Sequence, residues 1–375
     1  MLPTPEDVRT ALSAVNDPEL HRPITELGMV ERVDVGADAV VDVEVLLTIA
    51  GCPMREKLTS DVTAAVRGVP GARGVRVRFG VMSPEQRSAL TVKLRGTTQA
   101  APTISFNEPG NLTRVYAVAS GKGGVGKSSV TVNLAAAMAA DGLRVGVVDA
   151  DVHGFSVPRL LGVTGRPTKV DSMILPPTGH GVRVISIGMF VPGNEPVAWR
   201  GPMLHRALQQ FVSEVFWGDL DVLLLDLPPG TGDIAISVGQ LLPSAEVLVV
   251  TTPQAAAAEV AERAGAVAAQ TSQRVVGVVE NMSWLELPDG QRLEVFGSGG
   301  GERVAASLTE RLGAPVPLLG RVPMDVTLRE GGDAGLPVVL GAPDSPAAQA
   351  LRELARTLAA RPRGLAGRRL GVSVA

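Results

Sequence analysis

Residues 114–142 read RVYAVASGKGGVGKSSVTVNLAAAMAADG: a β-rich run, a glycine-rich turn ending in Gly-Lys-Ser-Ser, and an alanine-rich segment closed by Gly142. Strand, loop and helix in that order are the context in which GKGGVGKS cradles phosphate. Gly121, Gly123, Gly124 and Gly126, with Val125 between the last two, let consecutive backbone N–H groups turn inward around anionic oxygens. The N-terminus of the following helix adds its partial positive charge. Lys127 is expected to contact the β and γ phosphates of ATP, and the Ser128 hydroxyl, followed by Ser129, to ligate Mg²⁺. An ordinary glycine-rich turn is the alternative, and both flanks argue against it.

Working outward from this loop, apolar runs alternate with helical stretches: Val115–Ala119, Val145–Val148, Val182–Ile187, Val222–Leu225, Val247–Val250 and Val275–Val279. The connections are long enough for crossover helices, which predicts an α/β fold with a doubly wound, mainly parallel sheet. Ligands in such sheets sit at the carboxyl ends of the strands. Ahead of it, a helix over Pro5–Val15, a strand over Val40–Leu47, a helix over Met54–Val66 and a strand over Val75–Phe79 read as a small α+β unit. The expected domains are 1–80 for that unit, 81–113 for a helix (Ser83 as N-cap, Pro84 at its first position) and a linker, 114–361 for the nucleotide domain, and 362–375 for a flexible tail carrying arginines.

Composition sets the outer limits. With 375 residues, 45% of them hydrophobic, the chain can build a large core and a smaller companion. A net charge of −3 gives no overall reason to expect nucleic acid or an anionic membrane as partner. The early residues lack an apolar leader, and no run approaches the roughly 18 apolar residues of a spanning helix. A single cysteine, Cys52, excludes an internal disulfide and fits a reducing compartment, so the expectation is a soluble cytoplasmic protein. The four histidines are scattered and predict no zinc site.

Three carboxylates end apolar strands: Asp149 and Asp151 in VGVVDADVHG, and Asp226 in DVLLLDLPPGTGD. Any one of them alone can also read as a helix cap. Lys122, before the glycine pair, reads on its own as a solvated loop charge. Together, KGGVGKS and the carboxylates resemble the deviant-Walker P-loop ATPases, the class of MinD, ParA and the nitrogenase iron protein. The resemblance implies that Lys122 reaches a partner's nucleotide across a homodimer, that Asp151 orients the attacking water, that Asp149 supports the Mg²⁺ shell, and that Asp226 holds a magnesium-bound water. It also implies that Asn281 reads the adenine edge, with Val322, Pro323 and Asp325 flanking the base.

Further along, DADVHGFSVPRLLG, AWRGPMLHRALQQF, DLPPGTGDIAISVGQ, TTPQAAAAE, ENMS, FGSGGG and REGGD resemble the Mrp family (Nbp/ApbC type) of ATP-dependent iron–sulfur cluster carriers, over about Arg114–Leu358. DPEL at Asp17–Leu20, ITELGMV and LTIAGCPM are similar to the SufT-like domain of iron–sulfur assembly. The family implies apo iron–sulfur proteins as clients. One departure stands out. Many members carry a CPxCG segment between ENMS and FGSGGG, and here SWLELPDGQRLEVFG contains no cysteine. Clusters are normally ligated by Cys₄ sets, and a homodimer of this chain offers only two copies of Cys52. Cys52 is thus the one candidate thiolate ligand, with a small packing residue as the alternative. Two rival functions remain: a ParA- or MinD-like positioning ATPase, for which the helical pattern over Ser345–Arg361 would serve membrane or DNA, and a module that binds nucleotide without hydrolysis.

Overall fold

A computed structural model describes residues 2–48, 54–95, 103–151, 154–190, 201–230, 232–287 and 289–361. The chain divides into two compact units. One comprises residues 1–102 together with 167–175, and the other 103–166 with 176–375.

In the first unit, α1 (Pro5–Leu12), β1 (Val30–Val35), β2 (Val40–Leu47), α2 (Arg55–Arg67), β3 (Gly74–Val81) and α3 (Pro84–Arg95) follow in order. Thr4 and Asp7 cap α1 reciprocally and Pro5 occupies its first turn. The helix was expected to run to Val15, but the chain leaves it at Leu12: the Val15 carbonyl accepts from the Ile24 amide instead, and Asn16 pairs with Pro23. The sheet order is β1-β2-β3, antiparallel then parallel, with α2 as the crossover. Val41, Val43 and Val45 of β2 are fully buried, as are Leu58, Val62 and Val66 of α2. β1 has no period-2 signature in the sequence because a bulge between Val30 and Arg32 breaks the alternation of buried and exposed residues.

The second unit contains β4 (Arg114–Ser120), α4 (Lys127–Ala140), β5 (Val145–Asp149) and α5 (Val157–Leu160). After the segment that forms β6 (Thr168–Val170) and β7 (Met173–Leu175) in the first unit, it continues with β8 (Thr178–Gly179), β9 (Val182–Ser186), α6 (Gly201–Ser213), β10 (Val222–Asp226), α7 (Asp233–Leu241), β11 (Glu246–Thr251) and α8 (Ala255–Gln270). It ends with β12 (Val275–Glu286), β13 (Arg292–Leu293), α9 (Gly300–Leu312), β14 (Leu318–Met324), α10 (Val326–Ala334), α11 (Val338–Gly341) and α12 (Pro346–Ala359).

Among the described residues these strands form a nine-stranded sheet in the order β13-β12-β11-β4-β10-β5-β9-β8, with β14 paired to β12. Seven strands run parallel, and only β8 and β13 are antiparallel. The expected α/β, doubly wound and mainly parallel architecture is the one observed. Its central strands are buried on both faces, which is why they read as continuous apolar runs. Val222 and Leu224 of β10 join a core with α4 and α12, while Leu223 and Leu225 are equally buried on the opposite face.

α4 is apolar nearly all round and lies beneath α12. Ser345 caps α12, accepting from the Ala348 amide, and Leu351, Ala355 and Leu358 pack into the same core. The apolar face of α12 is therefore already covered and is not available for insertion into a membrane surface. No helix among the described residues is long and apolar enough to cross a membrane.

The phenol of Tyr116 on β4 donates to the Leu358 carbonyl at 2.9 Å, tying α12 to the centre of the sheet. Burial is the main cause pushing its pKa up to about 12. Because the folded value is raised, this contribution is complete below about pH 10, the unfolded phenol's value, and is lost as pH rises through the folded one. Tyr116→Phe is expected to cost about 1 kcal/mol in urea unfolding at neutral pH, with nucleotide affinity unchanged.

Candidate functional site

The parallel strands place the sequence-predicted carboxylates side by side. In the sheet register Asp226 lies opposite Asp149 on one side and Val118 on the other, and Asp149 lies opposite Ser186. β4 ends at Ser120, so the loop Gly121–Gly126 springs from between β10 and β11. Gly124 and Gly126 have φ of +80° and +78°, which an L side chain adopts only with strain. At Gly124 the backbone faces open space.

Where α4 begins, Lys127 and Asp226 form a buried ion pair at 2.7 Å. Ser128 Oγ donates to the same carboxylate at 2.5 Å and Thr131 Oγ1 at 2.8 Å. Thr131 belongs to no motif of the sequence, but it stands one helical turn from Lys127 and so shares its face. Asp149 accepts from Ser186 Oγ at 3.1 Å, from the Val157 amide at 3.3 Å and from the Asp151 amide at 3.2 Å. Burial, and secondarily the charge of Asp226, push the Asp149 carboxyl well above the usual carboxylate range. Asp151 is 9% exposed and holds the Gly154 amide at 3.0 Å. Beyond β10, the Gly230 amide donates to the Ser120 carbonyl, and Gly230 takes φ +95°.

Lys122 donates to Gln254 Oε1 at 2.7 Å, so within one chain its ammonium rests on the residue just before α8. Both border a cavity of about 190 Å³ with Gly123, Thr252, Met282 and Phe296. Asn281 is 2% exposed, and its Nδ2 donates to the Val125 carbonyl at 2.9 Å. Its Oδ1 is buried without a partner. β14 pairs with β12 so that Val322 lies opposite Asn281, and Pro323 follows it, buried. The loop, Lys122, Lys127, Ser128, Asp149, Asp151, Asp226 and Asn281 are thus gathered at the carboxyl ends of adjacent strands. Cys52 and the tail 362–375 lie outside the described residues. Among the described residues no group of three or more His, Cys, Asp or Glu could hold a metal ion.

The family model described as NUBPL iron-transfer P-loop NTPase matches residues 111–359, and the one described as iron-sulfur cluster assembly protein matches residues 5–79. The chain is 64% identical over 365 residues to the iron-sulfur cluster carrier protein of Mycobacterium bovis, covering 97% of this chain and 96% of the relative. It belongs to the iron–sulfur cluster carrier family of P-loop NTPases. A relative of the same name from Deinococcus radiodurans is 47% identical over 352 residues, covering 93% of each chain. Among solved structures, a nucleotide-binding protein from Archaeoglobus fulgidus, in complex with ADP, is 36% identical with a TM-score of 0.50, covering 59% of this chain and 86% of that one.

A Cβ on Gly126 would fall 2.2 Å from Asn281 Nδ2, in a backbone conformation already unfavourable for any side chain. Gly126→Ala is therefore expected to push Asn281 off the loop and to weaken ATP binding at least about tenfold by calorimetry. Affinity within twofold of the parent would contradict this geometry.

Proposed function

We propose that this family member is an ATP-hydrolysing carrier of iron–sulfur clusters, working as a homodimer that delivers cargo to apo-protein clients. The observation that carries the reading is the assembly of Lys127, Ser128 and Asp226 behind the glycine loop, with Asp149 and Asp151 on the neighbouring strand. The described residues fit a nucleotide. The loop presents amides and an unobstructed Gly124, and the orphaned Asn281 Oδ1 is an acceptor in want of a donor such as the adenine amino group. They also fit Mg²⁺, a hard cation that favours oxygen ligands: the Ser128 hydroxyl would hold it directly, and Asp226 and Asp149 through water. When bound, the cation would neutralise charge developing between the β and γ phosphates.

The residues of the chain divide the remaining work. Lys127 is held by Asp226 in the resting chain, and an arriving phosphate offers it a second anion, freeing that carboxylate to orient water. Asp151 would align the attacking water and take up its proton. Lys122 must leave Gln254 to reach a partner's nucleotide, which makes slow turnover in the isolated chain the expectation.

The stretch where many relatives carry their cysteine pair contains none, so Cys52 and non-cysteine or exogenous ligands would have to hold the cluster. A cytoplasmic site of action accords with that lone thiol.

Lys127→Ala is expected to abolish turnover. Asp151→Ala should keep ATP affinity and lose about a hundredfold or more of kcat. Lys122→Ala should remove the rise of specific activity with protein concentration; parental rates in the Asp151 variant would sink the hydrolytic mechanism. Anaerobic loading with iron and sulfide should leave iron on the parent and little on Cys52→Ala. Equal iron on both eliminates Cys52 as a ligand, and iron on neither removes the cargo from the reading.

A further inference from the structure

The hairpin formed by β6 and β7 lies, in sequence, inside the nucleotide unit, yet by its contacts it belongs to the first unit. Thr168 pairs with Leu175 and Val170 with Met173, and Asp171 at the turn takes φ +52°. Val170 and Met173 are fully buried and Leu175 nearly so, so the hairpin is packed in place. Thr168 Oγ1 donates to Glu19 Oε1 at 3.2 Å, and Arg87 approaches Asp171 at 3.8 Å.

Glu19 stands in the DPEL segment. There Asp17 accepts from the amides of Glu19 and Leu20 at 2.9 and 2.8 Å, and Asp17 and His21 line a cavity of about 480 Å³. Burial, and next the charge of Asp17, hold the Glu19 carboxyl above its usual range, and the hydroxyl of Thr168 is the side-chain donor that offsets this at the half-buried group.

The two stems of the hairpin share an anchor. Upstream, the Val157 amide of α5 donates to Asp149 Oδ2; downstream, Ser186 Oγ at the end of β9 donates to the same oxygen. Both stems are anchored within the second unit. The Val163 amide returns to the Pro158 carbonyl at 2.8 Å, and a Cβ on Gly162 would meet the Gly335 carbonyl at 2.8 Å. On the other side the Val184 amide bonds the Pro177 carbonyl at 2.9 Å, and β8 pairs with β9.

We infer that this hairpin is a relay: rearrangement of the Asp149 carboxylate on nucleotide binding shifts Val157 and Ser186, and the stems carry that shift through the Thr168–Glu19 bond to the DPEL segment. An oxygen with two donors has few lone-pair positions left, so a water or cation drawing on it competes with both stems at once. The relay rests on the proposed place of Asp149 in the magnesium shell. It adds that the first unit is the recipient of the nucleotide signal, along a covalent path through residues 167–175.

Hydrogen exchange on the full chain, free and with magnesium and a non-hydrolysable ATP analogue, tests this. Amides of 121–128, 168–175 and 15–22 are expected to slow together, each by about threefold or more. In Thr168→Val, which keeps the side-chain shape, and in Met173→Ala, which loosens the hairpin, the slowing at 121–128 should persist while that at 15–22 is lost. Slowing at 121–128 with no response at 15–22 in the parent, or an undiminished response at 15–22 in both variants, overturns the relay. No slowing at 121–128 in the parent instead overturns the proposed nucleotide site.

Discussion

The carboxylate of Asp226 is fully buried, and its two oxygens receive the ammonium of Lys127, the hydroxyl of Ser128 and the hydroxyl of Thr131. A lone carboxylate in such a position would cost several kcal/mol, so its partners must be in place for the sheet to close around it. Those partners come from the first turn of α4, while the carboxylate terminates β10. One polar cluster thus fixes the start of α4 against the middle of the sheet, and with it the loop Gly121–Gly126 that leads into the helix. An apolar replacement could stabilise the fold as well, but it would leave nothing that exchanges partners when phosphate arrives.

This constraint explains which parts were legible in the sequence. Strands buried on both faces are uninterrupted apolar runs, so β4, β5, β9, β10 and β11 could be placed from composition alone. The order of glycines and lysines between β4 and α4 carries its own chemistry. Three features were not legible. β1 hides behind a bulge, β14 mixes Gly320, Arg321 and Pro323 into what is nonetheless a strand, and the β6–β7 hairpin answers to a unit far from its own place in the sequence. In each case partners distant in the chain, absent from any local pattern, decide the structure.

The candidate site divides the same way. Lys122, Lys127, Ser128, Asp149, Asp151, Asp226 and Asn281 were identified from motif and resemblance, and the fold gathers them. Thr131 was readable in principle from its position one turn after Lys127. Ser186 and Gln254 were not. Ser186 matters because β9 happens to lie beside β5, and Gln254 because β11 delivers the start of α8 to the glycine loop. Neither relation has a sequence signature in a single chain.

The segment that departs from the family pattern has a structure of its own. β12 runs to Glu286 and turns back into β13, with Leu285 opposite Leu293 and Glu286 opposite Arg292. The Arg292 guanidinium stacks over the Trp284 ring at 4.3 Å. A ring stacked with a cation and two facing residue pairs hold this hairpin together. The one thiol of the chain lies far away in sequence, within the stretch that matches the assembly-protein model. If its thiolate holds cargo, engine and cargo occupy different units of one chain. A carrier built this way needs a path for the nucleotide state to reach the cargo, and peptide bonds on both sides of Thr168–Leu175 provide one.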